Sequence, residues 1–468
     1  MMTTRIASCL LLLLPLAASA RPAADSVYIE EVAITGTLAE TSLRTVPMNV
    51  TVVNRRTIES RMEPSLMPII TEEVAGLFTT SRGVMGYGVS AGAAGGMTIR
   101  GIGSAPTTGV LLLIDGHPQL MGMMGHPLPD AYQGLMAERV EVVQGPASAL
   151  YGANAMGGVI NIITKKNLTN GVRTHASLMY GSYNTASAEM SNAVRKGKFS
   201  SYVALGYNRT DGHRRLLGFE QYSGYAKLGY EVAQRWRTFA DVNLTGFKAS
   251  NPGVAAATSI AGNEADILRG VASATLENTY RHTSGALKVF YNFGKHHVTD
   301  RDPATGALNA MTHFESTDYA WGANLYQSYK LTTNTELTAK ADYLRYGGRA
   351  WNAFAGGNPD RVHADTAVGE LAGYLGFRQT LAERLAVSGG VRLSYNGMFG
   401  AEWVPQGGIT YSATDNATLK AIVGKGFRNP TMRELFMFAY NPDLLPERIM
   451  SYELAYAQDL LSKDLQLT

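Results

Sequence analysis

The chain has 468 residues, 45% of them hydrophobic and only 17% charged, with a formal net charge of +3. A surplus this small gives no electrostatic case for nucleic acid as a partner. Its mean hydropathy is −0.07, and no run of about twenty apolar residues follows the first segment, so helical membrane spans are not expected. The 50 glycines and 24 tyrosines suit β-structure with many turns.

In chain order, the first element is "MMTTRIASCLLLLLPLAASA". Arg5 supplies a positive start, Leu10 to Leu16 a short apolar run, and Ala18-Ser19-Ala20 a small-x-small cleavage site. Residues 1–20 therefore read as a secretory signal peptide, too short to span a bilayer. The single cysteine, Cys9, lies inside it. Disulfides, thiolate metal sites and cysteine nucleophiles are thus excluded from the exported chain.

Residues 21–46 hold "DSVYIEEVAITGT", an extended, β-prone strip. From 47 to 166 the pattern is that of a small mixed α/β unit. "MNVTVVNRRTIE" predicts a strand entering a helix, and "MPIITEEVAGLF" has helical apolar spacing. "GMTIRGIG", "GVLLLIDGHP", "AERVEVVQGP" and "GGVINIITKK" are strand-like runs closed by Gly or Pro. Arg100 and Arg139 fall on runs expected to be buried, beside Glu138 and Glu141. A charge buried there needs a carboxylate partner in this unit or in what surrounds it.

From 167 to 468 the pattern changes to segments of about ten residues with strict alternation. Val203, Leu205 and Tyr207 oppose Ala204, Gly206 and Asn208. Val242 and Leu244 oppose Asp241 and Asn243, and Val391 and Leu393 oppose Arg392 and Ser394. A soluble sandwich would also alternate, but the connections decide. Tight turns such as "RKGK", "RHTSG" and "SATDN" alternate with long segments at 211–220, 246–268, 294–315, 347–365 and 424–450. Short turns on one rim and long loops on the other is the layout of an outer-membrane barrel, which also removes free sheet edges. About fourteen antiparallel strands and the start of another are expected, and no closing strand with a terminal aromatic follows. The expected fold is therefore an all-β transmembrane barrel, present in part, preceded by an N-terminal mixed α/β unit.

The motifs carry a resemblance. "TIRGIG", "VLLLIDGHP" and "AERVEVVQGPASALYGANAMGGVINIITKK" resemble the plug domain of TonB-dependent outer-membrane receptors. "GKGFRNPTMRELF…NPDLLPERIMSYELAY" resembles the barrel signature of the same family. The resemblance implies a barrel of roughly twenty-two strands in its complete form, with the mixed α/β plug domain inside it. It implies residence in the outer membrane of a Gram-negative bacterium, in contact with outer-membrane lipid, and coupling to the TonB–ExbB–ExbD complex. It leaves room for an accessory surface or periplasmic binding protein.

Under this resemblance Glu31, Val32, Ala33, Ile34 and Thr35 are the expected TonB box, which a periplasmic partner captures by strand addition. The alternative for them is a plain first strand of the plug. Arg100, Glu138, Arg139 and Glu141 are expected to lock the plug reversibly. The segment after Asp115-Gly116 is expected to rise to the outward apex of the plug. His117, Gln119, Met121, Met123, Met124 and His126 lie there, with Met85 and Tyr87 on a second apical segment. Imidazole and thioether suit copper, and imidazole suits zinc or haem iron, so His117, Met121 and His126 are candidate metal ligands. Methionine is equally an adaptable apolar surface for a bulky chelate, and plain packing is the third reading. The expected function is energy-coupled uptake of a siderophore, haem or cobalamin. A metal ion or an oligosaccharide is the alternative cargo, and a passive porin, adhesin or outer-membrane enzyme the alternative class. No nucleophile constellation supports an enzyme, and no resident cofactor is expected.

Overall fold

The computed structural model describes residues 32–33, 35–38, 41–61, 63–81, 83–88, 95–104, 106–252, 262–382, 384–438, 440–460 and 465–467. The signal-peptide reading, Glu31 and Ile34 lie outside the described residues. No described helix is long and apolar enough to cross a membrane.

The N-terminal domain is a five-stranded mixed sheet. Its order is Asn49–Asn54, Ala137–Gln144, Gly158–Thr164, Val110–Ile114 and His117–Pro118. The strand Gly158–Thr164 runs parallel to Val110–Ile114, and the other neighbours are antiparallel. Both faces of "VLLLI" are buried, which is why it carries no polar residue. The expected strand-to-helix passage is present. Asn54 ends the first strand and its side chain caps helix Arg55–Ser60 through the Thr57 N–H. Ser65 caps helix Leu66–Glu73 in the same way, and Leu66, Met67, Ile69 and Ile70 enter the core.

Two details differ from expectation. The helical pattern through Phe78 stops at Glu73, because Gly76 takes a positive φ and turns the chain into the strand Leu77–Thr79. "GMTIRGIG" is not one strand but a tight hairpin, Met97–Ile99 with Ile102–Ser104. Arg100 stands in its turn at φ +50° instead of on a buried strand.

Among the described residues from Gly171 onward, fifteen strands form one antiparallel sheet in strictly sequential order, the last being the short Leu465–Leu467. Its first and last described strands are not paired with each other. Its faces invert the usual order. Asn208, Asp241, Asn243, Thr245, Arg269 and Asn292 are buried toward the plug, while Val203, Leu205, Val242, Leu244, Leu287 and Val289 are exposed on the outside. An apolar outer face with a polar interior is stable only when the surrounding medium is lipid.

Strands reach 21 residues at Arg361–Leu381. The long segments expected between strands are therefore paired at their ends: Trp236–Asn251 continues against Asn263–Thr279 to the last pair, Asn251 with Asn263. Alternation reveals only the membrane band, about 9–11 residues per strand. Backbone pairing continues beyond it, where side chains no longer need to alternate.

Candidate functional site: the seam between plug and wall

The turn Asp115-Gly116 ties the plug to the wall through paired charges. The Asp115 carboxylate accepts from the Thr164 N–H at 2.9 Å and its hydroxyl at 2.6 Å, and pairs with Lys227 of the wall at 2.9 Å. Lys288 donates to the Asp115 carbonyl. Burial alone would raise this carboxyl; Lys227, Lys166 and Lys288 hold it well below the usual carboxylate range.

Beyond the turn, the chain does not stand free in the vestibule. It folds into a short knot, with the Met121 N–H donating to the His126 carbonyl at 3.0 Å and the Gly125 N–H to the Met121 carbonyl at 2.6 Å. The knot is pressed into the wall. A Cβ on Gly122 would lie 2.3 Å from the Tyr319 carbonyl oxygen and 2.4 Å from that of Gly347, so only glycine fits there. The Gly122 N–H donates to Asp318 at 2.8 Å. Arg269 pairs with Asp318 at 2.8 Å and donates to the Leu120 carbonyl at 3.3 Å.

This seating fixes each expected apical residue. His117 is buried and stacked on Phe290, ring centroids 5.1 Å apart, with Nδ1 3.0 Å from the Gln119 amide. Burial lowers His117 to about 3, so the ring is neutral. Gln119 is buried as well. Met121 packs among Phe219, Phe247 and Ile267, whereas Met123 packs among Ala350, Val368, Met432 and Met437. Met124 is half-buried and touches both clusters. His126 is half-buried, with Nδ1 2.9 Å from the Pro127 carbonyl, and burial lowers it to about 4. His117 and Met121 therefore face different neighbours.

On the second apical segment Met85 is half-buried against the Met121 cluster, and Tyr87 is buried. Asp130 holds this segment by accepting from the Tyr87 N–H at 3.0 Å and the Gly88 N–H at 2.7 Å. Burial pushes the Asp130 carboxyl up to about 7, against those two hydrogen bonds.

Of the four expected locking residues, one crosses to the wall. Arg100 pairs with Glu453 at 2.9 Å. Glu138 pairs with Arg55 at 3.5 Å, and Arg139 with Glu141 at 2.8 Å, both within the plug. Glu141 is fully buried and accepts from the Thr35 N–H at 2.8 Å and hydroxyl at 2.6 Å. Thr35 is thus held inside the plug, and Val32–Ala33 pairs with Thr41–Ser42.

Sequence reading missed the wall's contribution. Lys227, Arg269, Asn292, Asp318 and Lys340 cap plug groups from the polar face; Lys340 donates to the Leu150 carbonyl at 2.8 Å, and Asn292 to that of Pro118 at 2.9 Å. The available signal was a charged or amide residue alternating with lipid-facing apolar ones. Also missed was an aromatic group at the long-loop rim. Phe314, His363 and Phe438 lie with ring centroids 5.4–6.2 Å apart, and Arg433 is over Phe438. His363 falls at a β-bulge between Ala364 and Val362, which no alternation pattern announces.

Between plug and wall runs a cavity of about 70 Å³, lined by Leu111, Leu113, Tyr151, Lys340, Asp342 and Glu370 among others. The two signature motifs meet beside it. The Phe427 N–H donates to the Ser148 hydroxyl at 3.2 Å, and the Asn154 N–H to the Phe427 carbonyl at 3.0 Å.

Residues 42–159 match the TonB-dependent receptor plug domain, and 218–468 match the TonB-dependent receptor-like β-barrel. The vitamin B12 transporter BtuB of Vibrio vulnificus is 26% identical over 91% of this chain and 67% of its own length. The iron-regulated outer membrane virulence protein of Vibrio cholerae is 23% identical over 88% of the chain and 63% of its own length. Among solved structures, the ferripyoverdine receptor of Pseudomonas aeruginosa superposes with a TM-score of 0.74 at 14% identity, over 93% of this chain and 64% of that one. The alcaligin receptor FauA of Bordetella pertussis gives 0.69 at 16% identity, over 93% and 72%. The chain spans roughly two thirds of the length of these relatives, and with a plug seated in an antiparallel wall of lipid-facing strands it belongs to the TonB-dependent receptors.

Proposed function

We propose that the protein is an outer-membrane receptor that imports a bulky metal chelate or corrinoid, of the siderophore, haem or cobalamin class, into the periplasm. The observation that carries this is the composition of the rim above the plug. Half-buried Met124 shares one apolar cluster with Met85 and another with Phe314 and Phe436, His363 and Phe438 lie beside Phe314, Arg433 stands over Phe438, and the charge of Arg433 reaches His126. Thioether and aromatic surface suits a large, partly apolar ligand, and one guanidinium suits an anionic edge on it. Direct ligation by His117, Met121 and His126 is the weaker reading, because His117 and Met121 are packed into separate surroundings. The related proteins named for vitamin B12 and for iron regulation fall in the same substrate range.

Coupling would run through the N-terminal strip Glu31–Thr35 to TonB–ExbB–ExbD. Thr35 is tied to Glu141 on the strand Ala137–Gln144, so loosening that strand would free the strip for capture. The Arg100–Glu453 pair is the matching plug-to-wall lock on the other side of the same strand's end. This is transport without covalent chemistry, so no catalytic residue is assigned.

The test titrates the full-length receptor in detergent with cyanocobalamin, haem and a set of ferric siderophores, following tryptophan fluorescence. One of them is expected to bind, and Phe438→Ala to weaken it by about tenfold, the loss of an aromatic contact worth about 1.4 kcal/mol. If none binds, or if Phe438→Ala, Met124→Ala and Arg433→Ala all bind as the parent does, the rim is not the site.

A further inference from the structure

Outside the lumen, on the reverse face of the wall, lies a group of side chains that plays no part in the seam. The strands Thr283–Asp300 and Thr312–Lys330 pair with His297 directly opposite Glu315. His313 lies two residues from Glu315 and therefore on the same face. The donor atoms of His297, His313 and Glu315 all lie within 4.8 Å of one another. Nδ1 of His297 is 2.7 Å and Nε2 of His313 3.4 Å from the same carboxylate oxygen of Glu315, and the two imidazole centroids are 4.5 Å apart.

We propose that His297, His313 and Glu315 form a binding site for a borderline divalent cation of the zinc, copper or nickel class, which clips the two strands together at the long-loop rim. Two imidazoles and one carboxylate are a three-ligand set for such ions, and exclude hard magnesium and calcium as the preferred guests. Around zinc, donors at about 2.0–2.1 Å stand roughly 3.3 Å apart, so small side-chain rotations bring the set into place.

Two further observations support ligation over a plain ion pair. The second Glu315 oxygen, Oε2, is buried and has no hydrogen-bond partner among the described residues. A carboxylate oxygen left so is costly unless a cation completes it. The Nε2 of His297 is 3.0 Å from the Thr299 hydroxyl, which orients the ring with Nδ1 toward the shared centre; the hydroxyl can donate or accept, so either tautomer is satisfied.

Position separates this site from cargo. His297 lies six residues beyond the exposed Tyr291, and Glu315 six residues before the exposed Trp321, on the same outer face. At about 3.3 Å per residue that is roughly 20 Å along the strand, above the lipid band. The group is open to the medium, with side chains 41%, 33% and 16% exposed. A cation here meets solvent and not the plug. Its role is to hold the hairpin spanning 301–311, whose other ties include the Arg301–Glu264 pair at 3.0 Å, the Asp302 turn and the Ala355 N–H donated to the Met311 carbonyl at 2.9 Å.

The test uses the full-length receptor in detergent, stripped with chelator and then titrated with zinc chloride and, for its visible spectrum, cobalt chloride, in the presence of excess magnesium. One equivalent is expected to bind, with cobalt bands of a low-symmetry site. His297→Ala and His313→Ala should each lower affinity by more than about a hundredfold, and Thr299→Val, which removes only the orienting hydroxyl, by about tenfold. Glu315→Gln keeps the shape and should abolish the cobalt spectrum, so the result does not depend on the alanine variants folding. Saturable binding that is unchanged in the His297→Ala/His313→Ala double variant, or no binding by the parent, overturns the proposal. Neither result bears on chelate uptake, which uses the opposite face.

Discussion

The plug and the wall are built from the same residue types turned in opposite directions. In the plug, Leu112, Ile160 and Val142 point inward and are fully buried in one apolar cluster. In the wall, Leu244 is 43% exposed while its neighbour Asn243 is 6% exposed. The plug is arranged as a soluble domain is, by removing apolar surface from water. The wall has lipid outside and a polar partner inside, so its apolar residues need no burial and its charges find plug carbonyls. The seam between them combines apolar contacts, such as Met121 among Phe219 and Phe247, with polar ties: Asp115 with Lys227, Gly122 with Asp318, Leu120 with Arg269 and Leu150 with Lys340. A seam of apolar contacts alone would make the plug a permanent part of the wall. The hydrogen bonds can exchange with water when the plug shifts, because each group released can be solvated.

The comparison breaks most severely at Asp318. Asp318→Ala would leave Arg269, itself buried, without its partner, and would free the Gly122 N–H. Removing one partner of a buried pair destabilises by about 3–5 kcal/mol. Hydrogen exchange should show faster opening at 117–126, while the exchange of strands Gly171–Gly181 and Thr185–Lys196, which do not touch this knot, stays as in the parent. Exchange rising equally everywhere would mean that plug and wall are one cooperative unit.

A smaller effect tests the wall's outer solvent. Leu244→Arg places a charge on the lipid-facing side, at about 2–4 kcal/mol near the bilayer midplane. In urea unfolding from lipid vesicles the variant should lose stability by that amount. Equal stability of Leu244→Arg and parent would show that this face meets water instead.

The finest distinction is a pH dependence belonging to the plug alone. Asp130 is held near 7 in the folded state, above its ordinary 3.8. Its contribution is therefore complete below about 3.8 and is lost as pH rises through about 7, by at most about 1.4 kcal/mol per pH unit. Plug unfolding followed in urea from pH 5 to 8 should show falling stability in the parent and a flatter profile in Asp130→Asn. A parent profile as flat as that of Asp130→Asn would remove this role for Asp130.

Much of the architecture was legible in the residues. Alternation at 203–208 and 241–244 assigned lumen and lipid faces correctly, and the unequal turn lengths separated the two rims. Strand ends were not legible, because pairing above the membrane imposes no alternation. Nor was the depth of "DGHPQLMGMMGHP": its histidines and methionines looked like a presented loop, but Gly122 lets it sink against wall backbone more than 190 residues away in sequence.

The sequence by itself determined the class of protein, through local patterns whose period and punctuation follow from strand geometry and from the solvent on each face. Only the tertiary structure decided which charges meet. Arg100 joins Glu453, Thr35 joins Glu141, and His297 stands over Glu315, because pairing between different elements depends on strand register and on how the plug seats against the wall. No local window of residues carries that information.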